Sequence, residues 1–304
     1  MPIPDYKKSY YARHYEDPPQ VTEAEGAKTW LTRGASFVIS VTKAAAGTVL
    51  VRHDNPDEYM VILPVGVGAV LSAGAQTVEI ANGDTLAIMP PGASVVRLLS
   101  SGEILRIFSN KAEDLAKASV NSSFYETKVE GILPVVNWPD PEGGFKIRTY
   151  DLVKYLDPKG PLIQPRIFRS TNLMINAFAP WHTLRETSKL GPHYHDDFEQ
   201  ASVTLKGRFV HHIRYPWTSD LGDWFPDEHT EVASPSVAII PPPLLHTTRN
   251  ASADGAILVD VFAPPRVDFS LKPGFVLNAN DYPVPNSIRD GETALLSNVS
   301  AWGS

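Results

Sequence analysis

His193 and His195 stand two apart in Gly191-Pro192-His193-Tyr194-His195-Asp196-Asp197-Phe198-Glu199-Gln200. On an extended strand, residues two apart share a face, so both imidazoles point the same way. Glu199 or Gln200 adds an oxygen donor a few residues on. His246 arrives from a second stretch, Pro241-Pro242-Pro243-Leu244-Leu245-His246, behind the apolar run Ser236-Val237-Ala238-Ile239-Ile240. Three imidazoles and one oxygen suit a divalent first-row metal, one per chain, with coordination positions left open for substrate. A glutamine ligand leaves the ion its full double charge and makes it the stronger Lewis acid; a glutamate cancels one charge. His182, just ahead of the motif, is a candidate acid or base, and Glu199 a candidate proton carrier.

Other side chains are placed to meet a substrate. Tyr215-Pro216-Trp217 and Asp223-Trp224-Phe225 form an aromatic loop between the ligand strands, suited to walling a pocket through Tyr215, Trp217 and Trp224. Arg166, Arg185 and Arg214 carry the fork that grips a carboxylate in two places. Asp260 lies in the apolar Leu258-Val259-Asp260-Val261-Phe262, where a charge wants a partner. It either lines the barrel or holds a ligand histidine in one tautomer. His211 and His212 are adjacent, so they face opposite ways.

The elements that position these groups are short β-type runs at regular spacing, the pattern of a sandwich or barrel. They are 37–41, 48–51, 59–63, 69–71, 77–80, 85–89, 95–99 and 104–108. Asn82-Gly83-Asp84 reads as a hairpin turn. Asn110 reads as the N-cap of a short helix, with Glu113 reaching back to it, and 150–156 as a second helix. The β pattern resumes at Arg166 and runs to Phe262. This divides the chain into an arm (1–36), a first barrel (37–110), a linker with short helices (111–165), a second barrel (166–270) and a tail (271–304).

The two β regions superimpose as an internal duplication. Glu58-Tyr59-Met60-Val61-Ile62-Leu63-Pro64-Val65-Gly66 matches Glu199-Gln200-Ala201-Ser202-Val203-Thr204-Leu205-Lys206-Gly207, and Leu86-Ala87-Ile88-Met89 matches Val237-Ala238-Ile239-Ile240. His53 then pairs with His193, Asn55 with His195, Tyr59 with Gln200 and Val95 with His246. One donor of four is kept, so the first barrel is expected to be metal-free and structural.

These motifs resemble the cupin superfamily, and the duplication resembles bicupins. His193, His195, Gln200 and Gly207 fit the first cupin motif; Pro241, His246 and Asn250 fit the second, with Pro243 in place of its glycine. Thr187 replaces the glycine usual before the first histidine. The resemblance covers 37–110 and 166–266 and implies an all-β fold of two jelly-roll-type cupin barrels with a few short helices. It also implies a dimer or larger homo-oligomer. Counted back from Gly207, Gln200 is the fourth ligand, as in cupins that use glutamine; the shorter count from His195 makes it Glu199.

The leading expectation is a non-haem Fe(II) dioxygenase of a small oxygenated or aromatic acid. The alternative is an isomerase or lyase of a sugar acid using Mn, Ni or Zn. A third is a non-catalytic, metal-containing binding protein. Fold alone does not choose among them.

The bulk properties remove other classes. The chain has 304 residues, 43% of them hydrophobic, enough to bury an ordinary core. A net charge of -7 argues against nucleic acid. No apolar run reaches the ~20 residues of a membrane span, and no signal-peptide core is present. With no cysteine there is neither disulfide nor thiolate chemistry. A cytoplasmic protein acting on a small molecule, without membrane or nucleic acid, is expected.

Overall fold

The apolar runs form strands because both of their faces are covered. In the computed structural model, which describes residues 7–289 apart from 24, 128, 130 and 162, twenty strands follow one another. They are β1 (Tyr10–Ala12), β2 (Val21–Thr22), β3 (Lys28–Arg33), β4 (Phe37–Ala44), β5 (Val49–Asn55), β6 (Tyr59–Leu63) and β7 (Ala69–Ala73). Next come β8 (Gln76–Ile80), β9 (Thr85–Met89), β10 (Gly92–Leu98), β11 (Gly102–Ser109), β12 (Arg148–Asp151), β13 (Ile167–Arg169) and β14 (Met174–Ala177). The last are β15 (Gln200–Lys206), β16 (Phe209–Arg214), β17 (Glu228–Val232), β18 (Ser236–Ile240), β19 (Leu245–Asn250) and β20 (Ile257–Phe262). The described helices, α1 (Glu113–Ala118), α2 (Val267–Leu271) and α3 (Asn286–Arg289), are short.

Each half is a two-sheet jelly roll. The first sets β12-β9-β6-β11-β4-β3-β2 against β5-β10-β7-β8; the second sets β1-β18-β15-β20-β14-β13 against β17-β16-β19. The two large sheets pack on each other. Met60, Ile62, Ile88, Leu105 and Ile107 of one join Ala201, Val203, Ile239, Val259 and Val261 of the other in a single buried cluster. Their alternate neighbours, such as Tyr59, Val61 and Leu63, point into the first barrel. A strand covered on both faces loses the apolar–polar alternation of a half-exposed one and reads as a continuous apolar run.

The halves repeat one register. Tyr59 pairs with Met89 and Gln200 with Ile240, the positions the duplication equates. Each half also lends the other a strand. β1, from the expected arm, pairs with β18 of the second barrel, Tyr10 opposite Ile239. β12, from the expected linker, pairs with β9 of the first, Arg148 opposite Ile88.

Three local expectations are corrected. Asn82-Gly83-Asp84 is not a hairpin turn: β8 and β9 belong to different sheets and the turn carries the chain between them. Gly83 takes φ of 70° there, with the Pro64 carbonyl where a Cβ would stand. Asn110 does not cap α1; its amide donates to the Ala35 carbonyl and the helix starts later, after Ala112. The stretch 150–156 is the end of β12 followed by a 3-10 turn at Leu152–Tyr155, because Tyr150 completes the β9 ladder. The expected tail beyond residue 289 lies outside the described residues.

Ala12 is fully buried opposite Val237, within the cluster between the barrels. Ala12→Glu places an unpaired carboxylate there and is expected to cost about 3 kcal/mol, read as a lowered Tm against an exposed control such as Glu16→Ala.

Candidate metal centre

The three histidines converge although the first two are not on a strand. The segment before β15 is a loop, and His193 is held by a lone antiparallel bridge to His246. His193 N–H donates to His246 O at 3.0 Å and His246 N–H to His193 O at 2.8 Å. The candidate ligand atoms of His193, His195 and His246 all lie within 4.8 Å of one another.

Backbone carbonyls choose the tautomers. His246 Nδ1 lies 2.9 Å from Leu244 O, and His193 Nδ1 lies 3.3 Å from Gly191 O. Only a protonated Nδ1 can serve a carbonyl, so each Nε2 keeps its lone pair for a ligand. His246 Nε2 is buried with no hydrogen-bond partner among the described residues, the condition expected of an atom that waits for a metal. Burial and the neighbouring imidazole of His193 hold the His246 pKa down to about 3. Burial likewise keeps His195 well below its ordinary value and lowers His193. All three are therefore neutral near pH 7, the form that binds metal.

Gln200 opens β15 on the same side. Its Nε2 donates to Ser202 Oγ at 3.0 Å, and that hydroxyl donates to Asp260 Oδ1 at 2.6 Å. A hydroxyl that gives its proton to a carboxylate must accept from the amide NH2. This turns Gln200 Oε1 toward His195 Nε2, 3.0 Å away. Two ligands at right angles, each ~2.1 Å from an ion, are separated by about that distance. The donor set fits a divalent first-row metal.

Glu199 is one residue earlier and so faces the opposite way. It is buried between the barrels, accepting from the Ala35 N–H at 2.6 Å and from the Tyr125 hydroxyl at 3.1 Å. Burial raises its pKa, and these donors oppose the rise. It lies apart from the histidines.

The site opens on a cavity of about 60 Å³. Phe178, Trp181, Phe209, Phe262 and Phe269 supply its apolar wall, while Arg185, Arg266 and Asp260 reach it as charged groups. Arg185 Nε and Trp181 Nε1 are buried donors with no partner among the described residues. Arg185 also anchors the loop by donating to the Thr248 and Leu190 carbonyls. Arg266 is bidentate to Asp268, at 3.1 and 2.7 Å, and lies 3.5 Å over the Phe269 ring. Burial pushes the Asp260 pKa up to about 7, against the Ser202 hydrogen bond and the charge of Arg266.

Of the residues expected to bind substrate, only Arg185 reaches this cavity. Arg214 pairs with Asp227 on the surface, Nη2 to Oδ2 2.6 Å. Tyr215 donates to Glu228 at 2.6 Å, and Trp217 stacks on Trp224 with centroids 4.6 Å apart. Arg214, Tyr215 and Trp217 line a separate open depression of about 680 Å³ with Tyr194 and Pro243. Their loop packs on its own aromatics and on Ser9 of the N-terminal arm. His182 is exposed beside Gly255, and its neighbour Trp181 enters the cavity instead, because the Trp181–Ala256 bridge sets which side chain points inward. Arg166 is spent on the Ala177, Leu152 and Phe178 carbonyls. His211 is buried against Thr248, and His212 meets His229. Sequence reasoning passed over Trp181 and Arg266. Trp181 adjoins a residue that was singled out, whereas Arg266 follows the last strand with no spacing signal.

No family model and no curated protein matches the chain. Solved structures do. The oxalate decarboxylase of Lactobacillus farciminis, in its formate complex, superposes with a TM-score of 0.57 at 15% identity, over 87% of this chain and 89% of that one. The Bacillus subtilis oxalate decarboxylase at pH 4.6 gives 0.55 at 12% identity, over 90% and 83%. The fold is a pair of cupin barrels. At such identities the likeness speaks for fold alone. No described helix is long and apolar enough to cross a membrane.

Replacing His246 removes one candidate ligand while its backbone hydrogen bonds stay. His246→Ala is expected to weaken metal binding by more than about 100-fold, beyond the loss from an outer hydrogen-bonding partner, while the fold persists by circular dichroism; elemental analysis showing undiminished metal would contradict the ligand set. Asp260 sets a pH dependence in the chelator-treated protein. Its folded pKa of about 7 exceeds the ~3.9 of an unfolded aspartate. Its contribution to stability is thus present below about pH 4 and lost as pH rises through about 7. Asp260→Asn is expected to flatten the fall in Tm over that window relative to wild type.

Proposed function

We propose that the chain is a metal-dependent lyase that removes carbon dioxide from a small carboxylic acid. The observation that carries this reading is the cavity itself: about 60 Å³, facing His193, Gln200 and His246, with Arg185 Nε and Trp181 Nε1 as donors unpartnered among the described residues. It is far below the ~300 Å³ at which pockets for drug-sized ligands begin, and its free donors call for an anion. An acid of a few heavy atoms suits it better than an aromatic acid or a sugar acid. The fold likeness to oxalate decarboxylases, whose Mn(II) centres have been described in the Bacillus subtilis protein, supports the same reading. It favours Mn(II) over the Fe(II) expected from the sequence, and non-oxidative chemistry over a dioxygenase.

His193, His195, His246 and Gln200 would hold the metal. When bound, the ion supplies a Lewis acid that draws charge from a carboxylate oxygen. Arg185 and Trp181 donate to the substrate anion and orient it, and the phenylalanine wall excludes water. Loss of carbon dioxide breaks a C–C bond and leaves its electron pair on the retained carbon, which must take a proton. Asp260 supplies it. Its pKa of about 7 keeps much of the carboxyl protonated at neutral pH, and with Oδ1 engaged by Ser202 the proton sits on Oδ2. Solvent then restores the proton.

The test is to load the protein separately with Mn(II), Fe(II) and Zn(II), then follow carbon dioxide release and oxygen uptake across two- to four-carbon mono- and dicarboxylates, oxalate included. Carbon dioxide release without matching oxygen consumption is expected, highest with Mn(II). Arg185→Met is expected to lower kcat/KM by about 10- to 100-fold, the worth of a hydrogen bond to a charged group. Stoichiometric oxygen uptake with a phenolic acid would overturn the lyase reading.

A further inference from the structure

The first barrel holds a charged group that the metal chemistry does not use. Arg106 lies on β11 opposite Val61 of β6, as Asp260 lies on β20 opposite Ser202 of β15. The register of the duplication therefore makes Arg106 the counterpart of Asp260. Around it the donor positions are filled differently: Tyr59 stands where Gln200 does, and its hydroxyl is 2.8 Å from Ser94 Oγ. His53, the counterpart of His193, is exposed. One barrel thus places a carboxylate where the other places a guanidinium.

Arg106 is 8% exposed. Its one hydrogen bond among the described residues is a long one, Nη2 to Ser40 Oγ at 3.4 Å, and its Nε is buried with no partner. No carboxylate lies within ion-pair distance of it among the described residues. Arg52, the nearby cation, is already committed to Asp114 at 2.6 Å and to Asn55 at 3.2 Å. Burial lowers the Arg106 pKa, Arg52 adds to the lowering, and Tyr59 and the exposed Glu23 oppose it. A guanidinium that stays charged in such a place is costly to leave without a counter-ion.

Both arginines line a cavity of about 330 Å³ of mixed character: Val21, Leu31, Leu50 and Leu115 give it an aliphatic side, and Glu23, Thr29 and His53 a polar rim. This is several times the space beside the histidines. We propose that the N-terminal barrel is a metal-independent site for a carboxylate with an apolar body, such as a medium-chain or ring-bearing acid, whose charged end is held by Arg106. This barrel, in which no metal-ligating cluster occurs among the described residues, then supplies its positive charge from a side chain. The inference is independent of the lyase reading, because it concerns the other barrel and needs no turnover.

Isothermal titration calorimetry on the full chain tests it, with hexanoate, hexanamide and acetate as probes. Hexanoate is expected to bind once per chain. Hexanamide, which lacks the charge, and acetate, which lacks the apolar body, are each expected to bind at least about tenfold more weakly. Arg106→Met is expected to lose at least tenfold in hexanoate affinity, and Arg106→Lys, a point charge without the fork, to fall between. His246→Ala is expected to keep wild-type hexanoate affinity, which separates this site from the metal centre. If Arg106→Met does not fold, the wild-type ranking of the three probes and the Arg106→Lys variant still decide. No saturable hexanoate binding, equal binding of hexanamide, undiminished binding by Arg106→Met, or loss of binding in His246→Ala would each overturn the proposal.

Discussion

Burial of the central strands on both faces is the constraint from which the rest follows. The two large sheets share one apolar cluster that draws on both halves of the chain. The opposite faces of the same strands close the barrel interiors. Since β1 and β12 each complete the sheet of the other half, neither half is a self-contained unit. An interior walled in this way has a low effective dielectric, so any polar group inside must be paired or must have a use.

That pressure gives the few charged interior groups their meaning. In the second barrel, Asp260 is answered by Ser202, which orients Gln200, which in turn faces His195. In the first, the equivalent place carries Arg106, whose one hydrogen bond among the described residues is the long one to Ser40. The two barrels share scaffold and register and differ in the electrostatic character of their interiors.

The backbone contributes to the metal centre as much as the side chains do. Carbonyls two residues ahead of His193 and His246 set both tautomers, and the paired amides of the same two residues hold their loops together. The ligand geometry thus rests on one irregular bridge outside the regular sheets.

Much of this was legible beforehand. The strand runs, the repeated register and the three histidines that converge, His193, His195 and His246, are local or periodic signals, written in residue type and spacing. Tyr59–Leu63 and Thr85–Met89 appear with the bounds their apolar runs imply. What the sequence could not express were relations between distant segments. Which of Gln200 and Glu199 faces the histidines follows from the strand's facing and from Ser202 and Tyr125, which receive the two side chains on opposite sides. The aromatic loop with Trp217 and Trp224 has a composition suited to a pocket, yet it folds on itself, while Trp181 and Arg266 close the cavity from separate parts of the chain. Period and residue type determine which residues are strands and which are donors, because these depend on near neighbours. Which side chains share a cavity depends on packing between segments far apart in the chain, and only the tertiary structure decides that.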